Sequence, residues 1–137
     1  MACGHRGRPP REPQVIILDH TAVLALCRGH RFLSGLAVVE AGDPAQRAQV
    51  PALCLVAASL ELPGAAAHLG ALPGLEFLPL DFAATAAVEQ AAGAGLDWRR
   101  AHAVYAAVSG PAGGQVLSGT PEAYDGTGVW VVDIGKP

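Results

Sequence analysis

Charge is scarce in this chain, and the scarcity narrows what it can be. Only 15% of the residues are Asp, Glu, Lys or Arg, and the formal net charge is −3. Such a molecule exerts no overall pull on nucleic acid, so any nucleic-acid binding has to come from a local basic patch. Cysteines number three, Cys3, Cys27 and Cys54, with no C-x-x-C spacing. With no H-x-x-H pair either, a zinc site lacks support. Cys27 and Cys54 fall in apolar helical segments and read as reduced thiols, which suits a cytoplasmic protein. No apolar run is long enough to span a membrane, and the first residues lack the apolar core of a signal peptide. There is no G-x-x-x-x-G-K-[ST] loop, no G-x-G-x-x-G after a strand, and no G-x-S-x-G elbow. Nucleotide-binding and serine-hydrolase readings therefore have no motif behind them.

What is abundant is apolar surface. Hydrophobic residues make up 51% of the 137, which is high for a soluble monomer and points to a buried interface, such as that of a homodimer. An alanine-rich core gives the same count while burying little area. The length suits one domain. Residues 1–14, rich in proline and arginine and without apolar periodicity, read as a disordered basic tail. The domain then spans residues 15–137.

Val15, Ile16, Ile17 and Leu18 form a short continuous apolar run, the mark of a strand buried on both faces. It stops at Asp19, followed by His20 and Thr21. A carboxylate there stands on the rim of a sheet, where ligands of open α/β folds bind; it equally suits a helix cap. Thr21 is a plausible cap for a helix ending at Cys27. Residues 31–41 read as a second helix, closed by the Gly42-Asp43-Pro44 turn. Pro51, at a first helical position, opens a helix over residues 51–60 that is apolar nearly all round and so expected to be buried. A short helix over 65–72 follows. Residues 75–80 read as a strand with Pro79 at an edge or end, and Asp81 caps a helix to about Ala92. A last long helix starts at Asp97 and turns Trp98, Ala101, Val104, Tyr105 and Val108 to the core. Residues 115–118 and 129–132 supply two more strands, with a Thr120-capped short helix between them. The alternation predicts a three-layer α/β/α sandwich with a mainly parallel sheet of about four strands.

The rim would gather Asp19, His20, Thr21, Asp81, Ser118, Thr120 and Asp133. Arg99 and Arg100 sit in a helix's first turn, where cations are disfavoured by roughly 0.3–1 kcal/mol each. Either Asp97 pairs with them or a phosphate binds there. His102 reads as a general base, a metal ligand or a satisfied buried imidazole.

The order of elements and three stretches carry a resemblance. Residues 15–26, running from Val-Ile-Ile-Leu-Asp19 into an apolar helix, resemble the first strand and helix of PIN domains. Residues 50–55 resemble the family's third helix. Residues 101–107 with 116–124 resemble its last long helix and the following strand. The resemblance implies a metal-dependent ribonuclease fold of the toxin–antitoxin kind, with carboxylates holding Mg²⁺ or Mn²⁺. It implies Asp19 and Asp97 as metal ligands, His102 assisting proton transfer, and Arg99, Arg100, Ser118 and Thr120 against phosphate. The departures are equally specific. No acid stands near Ala57, although Glu61 follows one turn later, Arg100 occupies the place of another acid, and Thr120 that of a third. Two functions follow as expectations. One is a PIN-like domain with a degenerate metal site that binds RNA or a protein partner; the other is an active Mg²⁺- or Mn²⁺-dependent endoribonuclease with an antitoxin-like partner. A doubly wound small-molecule binder using the same rim is a third.

Overall fold

A computed structural model describes residues 5–6, 15–38, 47–110 and 113–135, the first pair by backbone alone. The strands are β1 (His5–Arg6), β2 (Val15–Leu18), β3 (Ala48–Pro51), β4 (Leu75–Leu78), β5 (Gly114–Ser118) and β6 (Trp130–Asp133). The helices are α1 (His20–Cys27), α2 (Arg31–Val38), α3 (Ala52–Glu61), α4 (Ala65–Gly70), α5 (Phe82–Gly93) and α6 (Trp98–Ser109), with a 3-10 turn at Pro121–Tyr124. Sheet order is β1-β6-β5-β2-β3-β4. β2 to β6 are mutually parallel, and β1 adds antiparallel to β6 with His5 opposite Val132. The three-layer α/β/α architecture is as expected, with five parallel strands rather than about four. The turn at residues 42–44 lies outside the described residues, as does the tail apart from His5–Arg6.

The uncounted strand is β3. Its Ala-Gln-Val-Pro lacks a strand's apolar signature, and Pro51 reads locally as a helix start. Pairing overrides that reading: Ala48 to Pro51 align with Leu75 to Leu78, and Gln49 aligns with Ile17. Pro51 is the last strand residue and precedes α3 in an extended conformation (φ −63°, ψ 142°). Ending the strand there leaves no ladder N–H to be missed.

Side-chain alternation builds two cores. Leu18, Val50, Leu75 and Leu117 face one way and pack with Val23, Leu33, Ala37 and Leu69 of α1, α2 and α4. Ile17, Val116 and Val131 face the other way against Ala103 and Ala107 of α6. Close approach of α6 is set by Gly114, where an added Cβ would lie 2.7 Å from Ile17 Cδ1 and 3.2 Å from the Ala107 Cα. This intimacy also corrects the expected face of α6. Ala101, His102, Ala103 and Ala107 are buried, whereas Trp98 and Val108 stand 40% and 62% exposed. A helix this near the sheet turns its small residues inward, because the large ones do not fit.

α3 departs from expectation in a way that matters for function. Only its stripe of Cys54, Ala57 and Ala58 is buried, against α1 and α6. Val56 and Leu60, on the opposite side, are 47% and 72% exposed.

Candidate functional site

β3 and β4 lie on one side of β2, and β5 and β6 on the other. The chain therefore reverses its winding between β2 and β5, and the crevice beyond their carboxyl ends is where such sheets bind ligands. Asp19 follows β2 there, and Ser118, Gly119 and Thr120 end β5 beside it.

Asp19 is fully buried. It caps α1, as one of its two sequence readings has it, and Thr21 does not: its Oδ1 accepts from the Ala22 N–H at 2.9 Å and from the Thr21 hydroxyl at 2.6 Å. The phenol of Tyr124 donates to Oδ2 at 2.6 Å. Burial first, and the adjacent Asp19 charge second, push the Tyr124 hydroxyl far above its ordinary pKa, so it remains a donor. Tyr124 escaped sequence reasoning because nothing in a one-turn segment 105 residues downstream marks it as a partner of Asp19.

From this carboxylate a chain of hydroxyls runs to Arg100. Thr21 gives its proton to Asp19, so its oxygen accepts from the Gly119 N–H at 2.9 Å and from Ser118 Oγ at 3.2 Å. Ser118 in turn accepts from the Thr120 N–H at 3.0 Å and, more loosely, from Thr120 Oγ1 at 3.4 Å. Arg100 Nη2 donates to Thr120 Oγ1 at 3.1 Å. Every donor in the series points the same way, from a cation toward an anion, so the bonds polarise one another.

Beyond Arg100 the charges close on themselves. Asp97 caps α6 through the Arg99 N–H and accepts from Arg99 Nη2 at 2.6 Å and Arg100 Nη1 at 3.2 Å. Arg99 also reaches Glu61 at 3.7 Å. The bond from Arg99 holds the Asp97 carboxyl down at about 2. The arginines in the first turn are thus offset internally, as one of the two sequence readings has it.

His102 stands apart from this network. It is buried, and the Leu53 N–H donates to its Nδ1 at 3.3 Å. Burial pushes its pKa below the ordinary histidine value against the pull of Asp81. Both features are those of the satisfied-imidazole alternative. His20 is also depressed by burial, and its Nδ1 has no partner among the described residues. Cys27 and Cys54 are free thiols, with Cys54 Sγ donating to the Arg99 carbonyl at 3.6 Å.

The donor set fits a divalent cation poorly. Both Asp19 oxygens are already taken by hydrogen-bond donors, and Asp97 is held by two guanidiniums. The path between the two carboxylates runs through Thr21, Ser118, Thr120 and Arg100. Hard cations need several free oxygen ligands, and among the described residues no three of His, Cys, Asp or Glu gather to supply them. Ala57, at the place of an expected family acid, is 2% exposed and packs in the core.

A second feature flanks this crevice. Ala52, Leu55, Val56, Ser59 and Leu60 of α3, with Ala66, Phe77, Leu78 and Pro79, line an open apolar groove of about 580 Å³. It runs beside β4, which has no strand on its outer side among the described residues. No family profile, no curated protein and no solved structure matches this chain. Among the described residues, no helix is long and apolar enough to cross a membrane.

Proposed function

We propose that this chain is a PIN-like domain whose metal site has been replaced by a hydrogen-bonded cation–hydroxyl–anion network, and that it acts by binding a protein partner. The observation that carries this reading is Arg100. Its guanidinium stands where the family resemblance calls for an acid, and it is bonded to Thr120, which stands where another is called for. A cation fixed at that position repels a metal ion and stabilises Asp19 through the hydroxyl chain instead.

Between the two kinds of partner, the charges favour protein over RNA. Arg99 and Arg100 are engaged by Asp97 and Glu61, and the net charge is −3. The apolar groove supplies the docking surface, since exposed contiguous apolar area marks interaction sites. Its lining is uncharged, and the charged residues next to it in the chain are Glu61 and Glu76, both acids. A second copy would set these acids against its own. A partner segment with an apolar face and a basic rim is complementary to them, and an amphipathic helix laid in the groove is one such segment.

The test is photo-crosslinking in cells from a reactive residue placed at Leu60, with Val108 as an exposed position elsewhere. The reading expects one discrete protein adduct at Leu60 only, carried by a basic amphipathic peptide and lost in Val56→Asp. Adducts to a second copy of the chain or to RNA would overturn it, as would no adduct at Leu60.

A further inference from the structure

On the opposite face of the sheet, a cavity of about 330 Å³ lies along the flank of α6, over β3 and the end of β4. It belongs neither to the Asp19 network nor to the apolar groove, although Leu78 and Pro79 border both cavities. The row of side chains crossing the sheet beneath it reads Val131, Val116, Ile17, Gln49, Glu76. The first three are packed in the core, and the row then turns polar, with an amide at β3 and the Glu76 carboxylate at β4. Gln49 is half-buried, and its side chain has no hydrogen-bond partner among the described residues. The Tyr105 and Ser109 hydroxyls, which also line the cavity, have none either. Val15, Leu78, Pro79 and Ala106 provide apolar walls.

We propose that this cavity binds a neutral, planar nitrogen heterocycle of nucleobase size. A few convergent polar groups on an apolar lining make the usual composition of a small-ligand site, and the volume lies in the usual range. Gln49 offers one donor and one acceptor side by side, matching a ring that presents an amino group next to a ring nitrogen. Tyr105 supplies an aromatic face for stacking. His102 forms a wall rather than a charged contact, because its Nδ1 is taken by Leu53 and burial keeps it neutral. Among the described residues no cationic side chain lines the cavity, whereas the Asp81 carboxylate does. Phosphorylated ligands are therefore disfavoured.

Calorimetric titration of the full chain with adenine, cytosine, AMP and a hexa-adenylate tests this. Adenine or cytosine should bind saturably and one-to-one, and AMP and the oligonucleotide more weakly. Gln49→Leu should weaken binding by about tenfold or more, as loss of a paired amide contact does. Tyr105→Ala should also weaken it, whereas Tyr105→Phe should leave it nearly unchanged. The proposal fails if neither base binds at millimolar concentration, if AMP or the oligonucleotide binds as tightly as the bases, or if Gln49→Leu in a folded variant changes nothing.

Discussion

Tyr124→Phe removes one oxygen atom and tests whether the buried Asp19 carboxylate is held by the fold. The phenol donates to Asp19 Oδ2 at 2.6 Å, and both residues are buried. The substitution keeps the ring and its packing, so it isolates the hydrogen bond. Bonds to charged groups contribute about 1.5–3 kcal/mol, and a buried acceptor left unpaired adds a desolvation cost. The expected loss is therefore about 2–3 kcal/mol. For a domain of this size that is a drop in Tm of roughly 5–10 °C. In urea it is a fall of about 1–2 M in midpoint at unchanged slope. Equilibrium urea unfolding followed by circular dichroism and by tryptophan fluorescence, with coincident transitions, reads it directly. A midpoint within experimental error of the parent, or above it, would refute the argument. It would mean that Oδ2 has other partners or that the carboxylate is open to water.

Other outcomes follow from the same structure. Ser118→Ala interrupts the hydroxyl chain between Arg100 and Asp19 and should cost about 1–2 kcal/mol in the same urea assay. Gly114→Ala forces a methyl against Ile17 Cδ1 and the Ala107 backbone and should destabilise by about 1–3 kcal/mol through overpacking. Acidification should weaken the fold in two stages, readable as Tm against pH. His20 and His102 have folded pKa values below the free value of 6.5. The stability each contributes is complete above that value and is lost as pH falls through the depressed one. Asp97, lowered from 3.8 to about 2, contributes above pH 4 and loses its share as pH falls toward 2. Because it is partly exposed, that share is about 1 kcal/mol after solvent screening. Asp97→Asn should remove that share and leave the first stage unchanged.

The most buried parts of the fold were the most legible in the sequence. A run of branched apolar residues closed by a carboxylate has few other uses, so β2 and Asp19 could be placed without knowledge of their neighbours. The same holds for Asp81, which caps its helix. What stayed hidden depends on partners distant in sequence. β3 is a strand because β2 and β4 flank it, not because Ala-Gln-Val-Pro favours extension. The face that α6 buries was set by Gly114, since a glycine facing Ala107 lets the helix close on its small residues. The exposed side of α3 was illegible for a similar reason: apolar composition says that surface seeks cover, not whether this chain provides it. Of the expected rim, Asp19, Thr21, Ser118 and Thr120 share one hydrogen-bond network, whereas Asp81 caps α5 and Asp133 accepts from the Gly135 N–H. The closing contact from Tyr124 carried no local signal.

Asp19 is a structural anion satisfied by hydroxyl and amide donors, with Arg100 as the resident cation. Titration of the wild-type chain with Mn²⁺, followed by the loss of the free-ion paramagnetic resonance signal, tests it most directly. With both Asp19 oxygens occupied, Mn²⁺ should show no saturable binding at millimolar concentration and no difference between the parent and Asp19→Asn. Stoichiometric binding that disappears in Asp19→Asn would contradict it.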